Sequence, residues 1–173
     1  MTTLYDLTFP FLINALKAEQ HLLAQAEAFA AEKGTPIAEL LGARLAEDMW
    51  PLSQQIVITT LHSAMTVLKL TGTAPNQINF GPAPLEDCKK YLTETLALLE
   101  AVTPESVNGK ETSTVGARMG PGAEAQMKAV DFVEGYLKPN VLFHVTTLYD
   151  ILRSKGAPLG KKDYLSTFVR IQA

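Results

Sequence analysis

His144 is the residue of this chain best placed to do chemistry. It lies in the run Lys138-Pro139-Asn140-Val141-Leu142-Phe143-His144-Val145-Thr146-Thr147-Leu148-Tyr149-Asp150-Ile151-Leu152-Arg153, three residues after Val141 and four before Leu148. That spacing puts Val141, His144, Leu148 and Ile151 on one face of a helix. Asn140 stands one turn before His144, so an amide and an imidazole are surface neighbours. Among branched aliphatics the charged imidazolium is disfavoured, and a neutral imidazole suits general-base work. The plainer reading is a core histidine whose two nitrogens are satisfied by Asn140 and a neighbouring helix. Pro139 fits the first turn of a helix, so this helix is expected to open there and to end at Gly156-Ala157-Pro158.

Other reactive residues point to less. Cys88 is the single cysteine. It allows no intrachain disulfide or thiolate cluster, and its place in an apolar stripe marks it as an inert core thiol. His21 keeps company with Asn14, Lys17 and Gln25 and reads as a surface residue. His62 belongs to the stripe Gln55-Thr59-His62-Thr66, which is polar throughout and is expected to be a helix's wet face. Gly120-Pro121-Gly122 is no phosphate loop, because no GK[ST] follows and no strand leads in. No serine, threonine or cysteine nucleophile has a partner constellation.

Long helices must position these residues. Phe11, Ala15, Ala18, Leu22, Ala26 and Phe29 recur at helical steps over residues 4–33, with Pro10 in an early turn and Gly34 as terminator. Thr35-Pro36 opens a short helix that ends at Gly42. Pro51 opens a second long helix that closes before Gly72, with Val57, Leu61, Ala64 and Leu68 as its expected apolar stripe. Residues 71–83 read as a loop. Pro84 starts a third long helix whose buried face is Leu85, Cys88, Leu92, Leu96, Leu99 and Val102. Thr103-Pro104 opens one turn, residues 110–115 could form a hairpin arm, and Gly116, Gly120 and Gly122 are expected to interrupt regular structure. Residues 131–137 are expected to form a separate short helix, and residues 159–164 a tail folded back on the bundle. The fold class is all-α, a four-helix bundle with short extra helices and a small hairpin between the third and fourth long helices, in one domain over residues 1–173.

Composition removes several function classes. With 47% apolar and 19% charged residues the chain is an ordinary globular protein and not a disordered one. A net charge of −3 argues against a general nucleic-acid binder. The basic residues Arg153, Lys155, Lys161, Lys162 and Arg170 read as solvated helix ends. No apolar run is long enough to span a bilayer, and the start Met1-Thr2-Thr3-Leu4-Tyr5-Asp6 lacks a basic leader with an apolar core. The expected setting is cytoplasmic and reducing.

Several segments together resemble a known family. They are Leu4-Tyr5-Asp6-Leu7; Ala43-Arg44-Leu45-Ala46-Glu47-Asp48-Met49-Trp50-Pro51 with Gln55; Pro139-Asn140 with Phe143-His144-Val145-Thr146-Thr147; Tyr149 with Ile151-Leu152-Arg153; and Pro158-Leu159-Gly160-Lys161-Lys162-Asp163-Tyr164. The chain is similar to the domain-of-unknown-function family numbered nineteen ninety-three, within the DinB/YfiT-like bundle superfamily. The resemblance implies an up-down-down-up bundle, often a homodimer, with a cavity between the helices. It also implies that the start of the second long helix, with Asp48, Met49 and Gln55, faces that cavity together with His144. Superfamily metalloenzymes bind a divalent ion through one histidine of the second helix and an H-x-x-x-H pair of the fourth. Here that pair reads Asn140-x-x-x-His144, and the second-helix candidate is His62. An amide is a poor replacement for imidazole on zinc or nickel, so no metal cofactor is expected.

These residues support two main functions. In the first, a small molecule binds and undergoes metal-independent proton transfer (isomerisation, cyclisation or elimination) with His144 as acid or base. Asn140 and Gln55 would orient it or polarise a carbonyl, Asp48 would fix its tautomer, and Tyr149 would donate a proton. Trp50, Met49, Phe143 and Arg153 are the candidate ligand-binding residues. The bland roles are a helix cap for Asp48 and stacking or pairing at the bundle end for Tyr149 and Arg153. In the second, the protein is a non-catalytic ligand-binding or dimeric interaction protein. A degenerate DinB-like metalloenzyme is the third reading. The expected partners are a small molecule and a second copy of the chain, with no nucleic acid and no membrane.

Overall fold

The computed structural model describes residues 2–120 and 122–169, so Arg170 of the basic cluster lies outside the described residues. The chain is mostly helical. Its elements are α1 (Leu4–Lys33), α2 (Ile37–Leu41), α3 (Leu52–Thr71), α4 (Leu85–Glu100), α5 (Pro104–Val107), β1 (Thr114–Gly120), β2 (Ala123–Lys128), α6 (Ala129–Asp131), a π-helical segment (Phe132–Leu137), α7 (Lys138–Ser154) and α8 (Lys161–Leu165).

Local chemistry sets the ends of α1. The Thr3 hydroxyl accepts the Asp6 N–H while the Asp6 carboxylate accepts the Thr3 N–H, a reciprocal cap. Gly34 closes the helix in the left-handed region at φ 64°, where a side chain would be strained. α1 packs against α4 and α7, and α3 packs against the same two helices, which brings the four long helices around one apolar cluster. α8 returns to α1, where Asp163 meets His21 at 3.2 Å and Thr167 donates to the Asn14 carbonyl. The tail therefore folds back as its residues suggested. Among the described residues no helix is long and apolar enough to cross a membrane.

Three regions differ from the sequence reading. The first is α3, where the polar stripe faces inward. Gln55, Thr59 and Thr66 are as fully buried as Val57 and Ala64 of the expected apolar stripe. The hydroxyls make this possible by donating to carbonyls of their own helix: Thr59 to Gln55, Thr60 to Ile56 and Val57, Thr66 to His62. Once bonded in this way a threonine presents little more than a methyl group to the core.

The second is the glycine-rich stretch. β1 runs through Gly116 and pairs antiparallel with β2, so glycine does not interrupt it. A β-carbon on Gly116 would run into the Glu124 side chain across the pair. Gly120 and Gly122, both at positive φ, flank the turn.

The third is the entry to α7. Pro139 does not open a fresh helix: α6, the π-helical segment and α7 are continuous. In a regular α-helix the Pro139 ring would press on the Gly135 carbonyl and leave it without an N–H. The chain widens instead, and the Lys138 N–H reaches back five residues to the Val133 carbonyl.

Candidate functional site

The buried face of α7 carries Val141, His144, Val145, Leu148 and Ile151, as the spacing required. His144 is 7% exposed and meets the first turn of α3. Its Nδ1 lies 2.6 Å from Gln55 Oε1, and Gln55 Nε2 donates to the Trp50 carbonyl at 2.8 Å. This chain of bonds fixes the tautomer. The Trp50 carbonyl can only accept, so the Gln55 NH₂ must point to it and the Gln55 oxygen to His144. Nδ1 therefore carries the hydrogen, and Nε2 keeps its lone pair. Among the described residues no hydrogen bond reaches Nε2. Burial, aided by the neighbouring His62, lowers the His144 pKa from 6.5 to about 4, so the ring is neutral near pH 7. Burial also lowers His62.

Aromatic rings surround this imidazole. The Trp50 ring centroid lies 6.5 Å away with planes 15° apart, and the His62 centroid 6.3 Å away with planes 25° apart. Phe143 stands edge-on at 5.2 Å, and Phe80 stands edge-on to Trp50 at 5.5 Å. Trp50, Phe143 and Phe80 are 48%, 57% and 68% exposed, so the imidazole sits beneath an apolar rim open to solvent. Two cavities elsewhere, of about 220 Å³ beside Tyr91 and Thr95 and about 440 Å³ beside Phe29 and Lys155, do not reach it.

The expected constellation contracts accordingly. Gln55, Trp50, Phe143 and His62 join His144. Asn140 does not bond to it, because its amide nitrogen donates to the Tyr136 carbonyl at 2.6 Å. Asp48 is exposed and fixes nothing; Gln55 sets the tautomer, and α3 starts behind Pro51 without a side-chain cap. Met49 is half-buried in the loop beside Trp50, with no hydrogen-bonding role of its side chain. Tyr149 follows His144 by five residues, about 140° around the helix, and packs edge-on against Tyr164. Arg153 lies two and a half turns beyond His144 and donates to the Ala157 carbonyl at 2.8 Å. Both thus take the bundle-end roles. Cys88 is buried, and its thiol is pushed up to about 12, chiefly by burial.

Two site residues escaped the sequence reading. Tyr136 lies edge-on to His62 at 5.7 Å, and its hydroxyl donates to the Arg118 carbonyl of β1 at 2.8 Å. Its signal was the four-residue spacing Tyr136, Asn140, His144, hidden by treating residues 131–137 as a separate helix. Phe80 sits in a loop and carries no periodic signal.

The donor set does not fit a divalent metal. Among the described residues no three His, Cys, Asp or Glu side chains converge as ligands. His62 and His144 come together, but the Asn140 oxygen that would complete the set is a weak neutral donor.

The fold has a counterpart among solved structures. The crystal structure of a DinB family member protein from Shewanella denitrificans superposes with a TM-score of 0.85 and 31% sequence identity, covering 98% of this chain and 95% of that one. The chain is thus placed in the DinB-like superfamily. Within it, residues 4–165 match the model of a domain of unknown function, DUF1993, and the chain belongs to that family. No curated protein matches it.

Proposed function

We propose that this protein is a small-molecule-binding helical-bundle protein whose site is the neutral imidazole of His144 beneath Trp50, Phe80 and Phe143. The observation that carries this reading is the bond series from the Trp50 carbonyl through Gln55 to His144 Nδ1. It prepares Nε2 as a fixed, uncharged hydrogen-bond acceptor before any ligand arrives. A base whose conjugate acid has a pKa of about 4 is poorly matched to proton abstraction near pH 7. That favours binding over isomerase, cyclase or lyase chemistry, and proton transfer at His144 becomes effective only with a ligand that stabilises the imidazolium.

The wider setting of this reading is one domain over residues 1–173, an up-down-down-up bundle acting in the cytoplasm as a homodimer, with no nucleic-acid or membrane partner. The packing of α1 and α3 each against α4 and α7 supports the bundle.

The test is mass spectrometry of small molecules released from natively purified protein and from its His144→Ala variant. A molecule held by the wild type and missing from the variant supports the reading. Identical content in the two, or none in either, overturns it.

A further inference from the structure

Resting on that binding reading, the geometry of the rim narrows the ligand class. The residues that meet around His144 are Gln55, Trp50, His62, Phe143, Phe80 and Tyr136, all uncharged near pH 7. Asp48 and Arg118, which adjoin them in sequence or through Tyr136, are both exposed. An ionic group seated here would lose water and meet only the exposed Arg118, whose charge reaches Tyr136 but is screened by solvent. His144 Nε2 is an acceptor, so a ligand that bonds to it must supply a donor, while the Trp50 and His62 rings beside it add N–H groups of their own. Ring orientation adds the shape. The Nε2 lone pair lies in the imidazole plane, and the Trp50 plane is within 15° of it. A flat ring stacked on Trp50 lies nearly parallel to the imidazole, so a donor in that ring's own plane is tilted little from the plane that holds the lone pair. Offset stacking also favours an aromatic ring over an aliphatic one of equal area.

We propose that the site takes a neutral, flat aromatic molecule bearing an O–H or N–H in its ring plane, with the ring against Trp50 and the donor on His144 Nε2.

Trp50 is the single tryptophan of the chain, so its emission reports this site alone. The intact protein is titrated with p-cresol, with its methyl ether, and with p-hydroxybenzoate, following Trp50 emission under red-edge excitation and the ¹⁵N shift of His144 Nε2. The expected result is p-cresol binding about five- to tenfold more tightly than the ether, the worth of one net hydrogen bond. The Nε2 shift should move for p-cresol alone of that pair, and p-hydroxybenzoate, with the same donor plus a carboxylate, should bind more weakly than p-cresol. In His144→Phe, which keeps a ring and loses the acceptor, the preference for p-cresol over the ether should vanish. Gln55→Glu, whose carboxylate draws a proton onto the imidazole, should abolish it too. The wild-type titration decides alone if either variant does not fold. Equal affinity for p-cresol and its ether overturns donor recognition and leaves ligand binding at His144 standing. Tighter binding of p-hydroxybenzoate overturns the neutral class. No response to any probe overturns the class, and the binding reading beneath it then stands or falls by the molecules released from wild type and His144→Ala.

Discussion

α3 supplies buried polar side chains to two regions, and they are finished in opposite ways. Toward α7, Gln55 is fully used: it donates to a backbone carbonyl and accepts from His144. Toward α1, Thr59 lies beside Glu19, whose carboxyl is completely buried with neither oxygen hydrogen-bonded among the described residues. Ser63, one turn further along α3, is likewise buried with its hydroxyl unpaired. Burial pushes the Glu19 pKa well above the usual carboxylate range, partly offset by Thr59. The first region has surrendered a charge and gained a defined orientation. The second has surrendered a charge with only the Thr59 hydroxyl, already given to the Gln55 carbonyl, to offset the loss. Such a group costs stability. The difference teaches that burial alone does not mark a site. What marks one is burial with the orientation fixed by a bonded partner and an acceptor left beneath an open rim.

The comparison can be broken most forcefully at His144. His144→Ala should cost about 2–4 kcal/mol, because it opens a cavity and strands Gln55 Oε1; a urea midpoint unchanged from wild type would mean the bond series does not hold the helices together. Acid should act on the same residue. Its folded pKa lies below its unfolded value of 6.5, so the unfolded chain binds more protons between about 4 and 6.5. The stability that His144 contributes is complete above pH 6.5 and falls as pH drops to about 4, by up to about 3 kcal/mol, and denaturation series across that window should show the slope shrink in His144→Ala to the part that His62 supplies.

The Glu19 region should respond with the opposite sign. With the folded carboxyl raised, the unfolded chain ionises first, so stability declines as pH rises above the ordinary carboxylate range. Glu19→Leu should therefore stabilise by about 1–3 kcal/mol near pH 8, with the gain shrinking toward pH 5; a loss would show that Glu19 has a partner. The smallest effect belongs to Thr66→Val. Its hydroxyl serves only the His62 carbonyl, so the melting free energy should change by no more than about 0.5 kcal/mol.

Much of the scaffold was legible in the residues. The stripe of α4 and the capping glycine of α1 come from periodicity and backbone freedom, because each depends on local chemistry. The buried stripe of α3 was not legible. Gln, Thr and His score as wet, and only the partner helix and the carbonyls of their own helix make them core residues. The His144 face is where its spacing puts it, yet its partner Gln55 lies 89 residues away and is reached through family resemblance alone. Helix spacing points to Asn140 instead, because spacing counts neighbours and does not say which way an amide turns. The strand through Gly116 is hidden in the sequence because its pairing partner, the strand 123–128, lies across the turn and glycine alone reads as a breaker.

The π-helical turn at Phe132–Leu137 has a further consequence. A wide turn is one residue more than the α-helix on either side needs, so it works as a phase offset between the upstream and downstream helical segments. Upstream lies the β1–β2 hairpin, held through the Tyr136 hydroxyl; downstream lies His144. Removing a single residue there would let the helix close to regular pitch and swing the hairpin roughly 100° around its axis relative to the imidazole. The length of this short segment therefore sets the azimuth at which the hairpin faces the site, and Pro139 is the pin that keeps the count.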